Sequence, residues 1–513
     1  MKGNWKKTAC AVIAALTAAG MFTACNGGSN SASTDGEKPT LKFLMNNITE
    51  DPNTNPVAKM LEEKTGYKVE YDLLPQNDPE EKLNLIIASQ TPYDGIQILG
   101  TLRAKFADYA KQGALTELDD LIEEYGPNMK DKFYDTTWDA MKVDGKVYGI
   151  VTANARKFDK DGELAVSGSA TMLTARTDLL EKIGISKMPE TLDEFTDMLR
   201  RIKAADVDAN GLQNVPLTLT ATAEIPGLYG AFGITHTWNE VDGKLVNRFV
   251  DPRYKDYLLY VKSLYDEGLL DKEFPTNKTN TVQEKFTSGR AAVMPMAYYD
   301  AVTILDALNK NVEGAQIDYI LPIGDGKGQR GYSYGGGSVI NRVAVIPLSA
   351  EHPADMIKWM NAKLDTDVFR NIAIGEEGVH YEMKDGAYYP ISPKFYEERA
   401  LSNDFMTGCD DANYMDYWLA RVKKDERIYN AYERINLEED MLALGQRSPL
   451  YGAPIFETQT NETALNSLAS DFSIKVITGA ESIDKFDSFV EQWNNAGGAE
   501  YTEEVNEWYK TGK

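Results

Sequence analysis

The stretch that decides the fold lies between residues 41 and 100 and reads LKFLMNNITEDPNTNPVAKMLEEKTGYKVEYDLLPQNDPEEKLNLIIASQTPYDGIQILG. Three short apolar runs in it have the composition of buried strands, at residues 41–47, 67–74 and 93–100. The two segments between these runs carry apolar residues at helical spacing, such as Val57, Met60 and Leu61 in the first. This alternation predicts an α/β fold with a parallel sheet covered by helices.

The strand ends within this stretch indicate where a ligand would bind. In an open α/β sheet, ligands approach the carboxyl ends of the strands. Asn46 and Asn47 stand at the end of the first run, and Gly100 and Thr101 follow the third. We therefore expect Asn46 and Asn47 to contact a ligand.

Downstream, local signals define further elements. Thr191 with Glu194 three residues later forms a capping-box pattern ahead of an amphipathic helix. Asp144-Gly145 and Asp385-Gly386 are typical of type I′ hairpin turns, which need positive φ at both central residues. Trp359 and Trp493 lie on apolar helix faces, so we expect both in a core.

Upstream of residue 41, the chain has the pattern of an export signal. Lys2, Lys6 and Lys7 precede an apolar run from residue 9 to residue 24, which is shorter than the roughly 20 residues that a membrane span needs. The sequence FTAC that ends at Cys25 resembles a bacterial lipobox, in which the cysteine is acylated and becomes the mature N-terminus. We predict a lipoprotein signal peptide at residues 1–24 and a flexible Gly/Ser/Asn-rich tether at 25–39. An ordinary signal peptide that is cleaved nearby is the alternative.

Composition excludes several classes of function. The chain of 513 residues has a formal net charge of −25, which disfavours binding to nucleic acid and to anionic membrane surfaces. After loss of the signal and acylation of Cys25, Cys409 would be the remaining free thiol, so no intrachain disulfide is expected. The three histidines show no zinc-ligand spacing. Zinc hydrolase chemistry therefore has little support, and no catalytic residue is singled out.

Six further segments occur in a characteristic order: KQGALTELDDLIEEYGPNM, DGKVYGI, TARTDLLEKIGISKMPETLDEF, EKFTSGRAAVMPM, GEEGVHY and IKVITGAESIDKFDSFVEQWNNAGGAEYTEEVNEWY. In this order they resemble the extracellular solute-binding proteins of family 1, particularly the long lipoprotein-type receptors for alginate and other complex oligosaccharides. The resemblance implies a type II periplasmic-binding-protein-like fold in which hinge strands join two parallel-sheet lobes. It places lobe 1 at 40–172 and 332–395 and lobe 2 at 173–331 and 396–513.

Aromatic side chains are the candidates for holding a sugar, because rings cover its C–H faces while polar groups meet its hydroxyls. By the resemblance, Tyr298 and Tyr299 after the GRAAVM segment are the leading pair. The weaker candidates are Tyr229, Trp238, Tyr332, Tyr334 and Trp418. Packing of the cleft wall, hinge or core is the alternative for each of these seven residues, and the spacing of Tyr414, Tyr417 and Trp418 equally suits a core-facing helix stripe.

The segment DVDANGLQN is a candidate calcium loop. Its residues at calcium-loop positions 1, 3, 5, 7 and 9 are Asp206, Asp208, Asn210, Leu212 (through its carbonyl) and Asn214. Position 12 holds Leu217 where an EF-hand has Glu. A structural Ca²⁺ and a plain Asx-rich turn both remain open, and no other cofactor is expected.

The resemblance, taken with these observations, implies a receptor rather than an enzyme. We expect a monomer on the extracellular face of the bacterial membrane, anchored through lipid, that passes an oligosaccharide to the transmembrane subunits of an ABC permease. A neutral oligosaccharide is favoured by the negative charge. The alternatives are an exported glycoside hydrolase, a receptor for a non-sugar solute such as a peptide, and an adhesin.

Overall fold

The computed structural model describes residues 38–46, 50–75, 78–99, 103–152, 170–205, 215–334, 342–451, 453 and 456–511. The expected signal peptide, Cys25, Asn47 and the candidate calcium loop lie outside these ranges. Within them, no helix has the length and apolarity required to cross a bilayer.

Seventeen strands occur in the described part of the chain. They are β1 (Leu41–Met45), β2 (Val69–Leu73), β3 (Gly95–Leu99), β4 (Lys142–Val143), β5 (Lys146–Val147), β6 (Gly149–Val151), β7 (Thr171–Arg176), β8 (Val215–Leu217), β9 (Trp238–Val241), β10 (Lys244–Asn247), β11 (Ala291–Ala297), β12 (Ile317–Ile320), β13 (Tyr332–Tyr334), β14 (Arg342–Val345), β15 (Tyr381–Lys384), β16 (Ala387–Pro390) and β17 (Gly445–Arg447).

Twenty α-helices occur in the same described ranges. They are α1 (Pro56–Thr65), α2 (Pro79–Ala88), α3 (Arg103–Lys111), α4 (Asp119–Tyr125), α5 (Pro127–Lys132), α6 (Asp135–Ala140), α7 (Thr177–Lys182), α8 (Leu192–Ala204), α9 (Tyr254–Asp266), α10 (Thr279–Thr287), α11 (Ala301–Asn311), α12 (Pro353–Ala362), α13 (Thr366–Ile374), α14 (Lys394–Arg399), α15 (Tyr414–Val422), α16 (Glu426–Asn436), α17 (Glu439–Leu442), α18 (Glu462–Thr478), α19 (Phe486–Trp493) and α20 (Ala499–Lys510).

The first sheet has the strand order β2-β1-β3-β14-β6. Strands β1, β2 and β3 are parallel, as the alternating pattern predicts, and helices α1 and α2 connect them. Strand β14 runs antiparallel to both β3 and β6, so the sheet as a whole is mixed. The reason is topological, because β14 enters this sheet from a distant part of the chain, with Arg342 paired to Leu99 at the end of β3.

The second sheet has the strand order β12-β7-β11-β8 and is also mixed. Strand β7 is antiparallel to both of its neighbours, whereas β11 and β8 are parallel. Alternate residues of β7 face opposite sides of the sheet, so Met172 packs in one apolar cluster while Leu173 and Ala175 pack in another. The sheet is therefore buried on both faces.

The local sequence signals were confirmed. Helix α8 begins with a complete capping box between Thr191 and Glu194. Asp144 and Gly145 connect β4 and β5 with φ of 51° and 79°, and Asp385 and Gly386 connect β15 and β16 with φ of 51° and 78°. These signals act over two to four residues and so do not depend on the rest of the fold.

Two segments pack in a different apolar core from the one expected from the predicted lobe boundaries. The core of the first sheet includes Phe405, Tyr414 and Ala420, although residues 396–513 had been expected in the second lobe. Tyr332 packs with the second sheet, although residues 332–395 had been expected in the first lobe. Both differences arise because long-range packing, rather than position along the chain, decides which core a segment joins.

Other core expectations were confirmed. Trp359 is fully buried in the core of the first sheet, and Trp493 is 1% exposed in that of the second. Cys409 is a buried thiol within the first core. It therefore packs as a small apolar residue.

A charged network is buried in the second half of the molecule. Lys285 Nζ lies 2.7 Å from Asp271 Oδ2 and 2.8 Å from Glu273 Oε2, and the side chains of Lys285 and Asp271 are 3% and 5% exposed. Asp271 Oδ2 also accepts hydrogen bonds from Thr218 and Asn277. Burial raises the pKa of Asp271, but the hydrogen bonds from Lys285 and its other donors outweigh burial and lower the pKa overall. The two buried charges of this network, on Lys285 and Asp271, therefore compensate each other.

Candidate functional site

Candidate site residues lie at one edge of each of the two sheets, where several strands begin or end. In the first sheet, Val151 at the end of β6 pairs with Val343 near the start of β14. In the second, Thr171 at the start of β7 pairs with Ala297 at the end of β11. These pairs mark two edges, one in each sheet. They are also the edges at which β1, β3 and β11 end.

A polar network lies at this edge of the first sheet. The backbone N–H of Asn46 donates to Gln97 Oε1 at 3.4 Å, and Gln97 Nε2 donates to the carbonyl of Asp404 at 3.2 Å. The Asp404 carboxylate in turn accepts a hydrogen bond from Arg342 Nη1. Asn46 is 4% exposed, and its Nδ2 has no hydrogen-bond partner among the described residues. The network therefore retains an unused donor.

An aromatic cluster lies at the corresponding edge of the second sheet. Tyr298 directly follows β11, and its ring centroid lies 5.3 Å from that of Tyr299 and 5.0 Å from that of Tyr432. The indole of Trp418, on α15, is within hydrogen-bonding contact of the Tyr298 hydroxyl. Tyr299 is 57% exposed, whereas Tyr298 is 8% exposed. The structure thus brings together three of the predicted residues, Tyr298, Tyr299 and Trp418.

Tyr414 connects the polar network with the aromatic cluster. Its hydroxyl donates to Asn403 Oδ1 at 3.3 Å, next to Asp404, and its ring lies 6.3 Å from that of Trp418. Burial raises the pKa of Tyr414, and both Arg342 and Tyr298 are close enough to influence its pKa further. We call the connected set the cleft cluster: Asn46, Gln97, Tyr298, Tyr299, Arg342, Asp404, Tyr414 and Trp418.

The tyrosines of the cleft cluster are protonated at physiological pH. Burial raises the pKa of Tyr298 and is also the main cause that raises the pKa of Tyr299. A protonated phenol both donates and accepts a hydrogen bond, and its ring presents an apolar face. The cluster therefore combines aromatic faces with amide, hydroxyl and charged groups.

Gln97, Arg342 and Asp404 were missed by sequence reasoning. Gln97 carried a signal, since it is the polar residue within the apolar strand sequence GIQIL. Asp404 carried none, because its contacts with Gln97 and Arg342 join residues that are distant in sequence.

Trp238 and Tyr229 lie in the core of the second sheet rather than in the cleft cluster. Trp238 is 2% exposed and packs edge-on against Tyr501, with ring centroids 5.0 Å apart. Tyr229 packs 4.5 Å from Tyr257, and the guanidinium of Arg248 covers it at 4.1 Å. Their rings are thus occupied by protein contacts, which the residue type by itself did not reveal.

Tyr332 and Tyr334 lie on β13, which pairs with β17. Tyr332 is 6% exposed, and burial raises its pKa to about 12. Tyr334 is half-buried and packs against the same apolar cluster as Trp418. Ser333 between them contacts His236 Nδ1 at 2.7 Å, and burial lowers the pKa of that histidine to about 4. This segment is thus held to the second sheet.

The residues proposed for calcium, 206–214, lie outside the described ranges. Among the residues that are described, no group of three or more His, Cys, Asp or Glu side chains is arranged to hold a metal ion.

Comparison with known proteins identifies similar chains. The family model for bacterial extracellular solute-binding proteins matches residues 47–363. The chain is 25% identical to Lipoprotein LipO of Bacillus subtilis, with 97% of each chain covered. It is 24% identical to the polygalacturonan/rhamnogalacturonan-binding protein YtcQ of the same organism, over 100% of both chains.

Solved structures show the same fold. The substrate-binding protein FusA of Streptococcus pneumoniae in complex with kestose has a TM-score of 0.69 and 20% identity, covering 92% of this chain and 99% of that one. An EF-hand mutant of FusA in complex with fructo-nystose has a TM-score of 0.68 and 19% identity, with the same coverage. This chain therefore has the two-lobe solute-binding fold.

Proposed function

Because the chain belongs to the bacterial extracellular solute-binding protein family, we propose that it is the receptor of an ABC importer and captures an oligosaccharide between its two lobes. The observation that carries this proposal is the cleft cluster, in which aromatic rings and planar polar side chains stand at one edge of each of the two sheets. Relatives named for binding polygalacturonan or for substrate binding by an ABC transporter support it.

The chemistry of the cleft cluster suits a carbohydrate. Sugar rings have apolar C–H faces that stack on aromatic side chains, and their hydroxyls both donate and accept hydrogen bonds. Tyr299 and Trp418 supply partly exposed ring faces. Asn46 and Arg342 supply hydrogen-bond donors, and the Asp404 carboxylate supplies an acceptor.

Binding in this proposal proceeds by lobe closure without chemical change to the sugar. A ligand that contacts both lobes favours the closed state through contacts that the open state lacks. We place the first lobe at residues 40–152 and 342–420 and the second at 170–334 and 422–511, in accordance with their cores. The permease would then receive the unaltered oligosaccharide.

We also propose that acylated Cys25 anchors the receptor at the extracellular face of the membrane. The lipobox-like sequence supports this anchor, as does similarity to a protein named as a lipoprotein. The monomeric state is likewise part of the proposal.

Thermal-shift measurements with a panel of neutral and acidic oligosaccharides test the function. A ligand at 100 times its Kd adds about 2.7 kcal/mol to the free energy of unfolding, so a true ligand should raise Tm by a few degrees. Recovery of the sugar unaltered after binding would separate a receptor from a glycoside hydrolase. A chain that binds none of the panel but binds a peptide would contradict the proposed ligand class.

A structural Ca²⁺ held by Asp206, Asp208, Asn210, the Leu212 carbonyl and Asn214 is a further part of the proposal. An EF-hand in the related FusA supports it. Excess chelator should then lower Tm, and Ca²⁺ should restore it, because an ion bound to the native state stabilises it by mass action. The variant Asp206→Asn should show a smaller response. An unchanged Tm in chelator would contradict the presence of the ion.

A further inference from the structure

Arg342 and Asp404 form an ion pair at the polar end of the cleft cluster. Arg342 Nη1 donates to Asp404 Oδ1, and the two side chains are 25% and 11% exposed. The neighbouring side chains of the network, Gln97 and Asn46, are neutral amides. The two charges of this pair compensate each other, so the pair itself has no net charge.

Arg421 is the second arginine near Asp404, and other groups hold it. It is buried, and its guanidinium donates to the carbonyls of Ala373 at 2.7 Å, Arg399 at 2.9 Å and Ala400 at 2.8 Å. It also donates to Ser402 Oγ at 2.8 Å. Its donors are thus committed to main-chain and hydroxyl oxygens, and Asp404 pairs with Arg342.

We propose that this end of the cleft cluster binds a neutral sugar unit and selects against a uronic acid, and that Asp404 is the residue that determines this specificity. This inference rests on the proposed function as an oligosaccharide receptor. It deepens that function by naming the class of sugar accepted at one position.

The reason lies in the hydrogen-bonding capacities of the two kinds of sugar. A sugar hydroxyl donates to the Asp404 carboxylate and accepts from Arg342 or Asn46, so it uses an acceptor and a donor of this network at once. The carboxylate of a uronic acid is an acceptor alone, and it would meet the negative charge of Asp404 in a partly buried site. To bind Arg342 it would have to displace Asp404, which would leave a buried carboxylate without its partner.

The experiment compares one oligosaccharide in two forms. The neutral oligosaccharide that gives the largest thermal shift with the wild-type protein is titrated calorimetrically, together with the same chain oxidised at C6 to carboxylates. If the best ligand lacks a C6 hydroxyl, a uronic-acid-substituted form of that chain replaces the oxidised one. Titrations at 0.15 M and 0.5 M salt separate a local contact from the long-range field, which the higher salt screens.

The wild-type protein should bind the neutral form at least 30-fold more tightly than the carboxylate form at both salt concentrations. Asp404→Asn should weaken binding of the neutral form about tenfold. It should also reduce the preference for the neutral over the carboxylate form to threefold or less, because the positive charge of Arg342 is then left without its anionic partner. Asp385→Asn provides a matched control, since it removes the same charge from the exposed β15–β16 turn. It should behave like the wild-type protein.

A second variant keeps the test decisive if Asp404→Asn fails to fold, as judged by circular dichroism. Arg342→Gln should weaken neutral binding at least tenfold without any gain for the carboxylate form. The inference is overturned if the best wild-type ligand is a uronic acid, if the preference disappears at 0.5 M salt, or if a folded variant binds both forms as the wild type does. Failure of the wild-type protein to bind any oligosaccharide would instead overturn the proposed function.

Discussion

Replacing both Tyr299 and Trp418 with alanine is expected to weaken oligosaccharide binding about 1,000-fold. Each ring that covers a sugar face contributes about 2 kcal/mol through buried apolar area and stacking, and about 1.4 kcal/mol corresponds to a tenfold change in affinity. Both rings contact Tyr298, whose ring centroid lies 5.3 Å from that of Tyr299 and whose hydroxyl meets the Trp418 indole, so the single variants need not add up to the double variant. Isothermal titration of the two single variants and the double variant measures the effect.

A matched control for these variants is Tyr396→Ala. Tyr396 is 58% exposed on α14 and lies outside the cleft cluster. Its replacement should leave the affinity within twofold of the wild-type value. Thermal melting should accompany each titration, because Trp418 also packs against the apolar clusters of both sheets. A folded double variant that binds its sugar within threefold of wild type would show that the aromatic rings do not form the binding surface.

Replacing Lys285 with methionine is expected to lower the free energy of unfolding by about 4 kcal/mol. The variant leaves the Asp271 carboxylate, which is 5% exposed, without its cationic partner. The pKa of Asp271 is lowered in the wild-type fold, so its favourable contribution is present above the unfolded value of 3.8 and declines as the pH falls through the folded value. The difference in free energy of unfolding between the wild type and Lys285→Met should therefore be smaller at pH 3 than at pH 7. Urea unfolding at pH 7 and pH 3 measures both effects.

Lys262→Met is the matched control for this prediction. Lys262 pairs with Asp266 on the surface of α9, with side chains 31% and 56% exposed. Exposed pairs contribute about 0–1 kcal/mol, so the control should change stability little. The double variant Lys285→Met with Asp271→Asn should recover part of the loss, because no buried charge then lacks a partner. Equal stability of Lys285→Met and the wild type would contradict the importance of the network.

Much of the fold could be predicted because its signals are local. The capping box at Thr191 and the turn at Asp144-Gly145 depend on hydrogen bonds and φ values within a few residues. The first three strands and their connecting helices followed from apolar periodicity. The same reasoning could have identified Asp242-Gly243 between β9 and β10, which also has two positive φ values.

The candidate site was predicted less completely. Tyr298, Tyr299, Trp418 and Asn46 were expected near a ligand, and the structure joins them through Tyr414 and Asp404. Trp238 resembled them in residue type, yet it fills a core against Tyr501. A single sequence does not distinguish these outcomes, because an aromatic residue after a strand suits a cleft and a core equally well.

By itself, the amino-acid sequence determined the export signal pattern, the α/β class, the local turns and caps, and the resemblance to a receptor family. The tertiary structure alone decided that β14 runs antiparallel in the first sheet, that residues 405–420 join the first core, and that Arg342 meets Asp404. The physical reason is the range of the interactions. Caps and turns are closed by neighbours in the chain, whereas strand direction, core membership and ion pairing depend on which distant segments pack together.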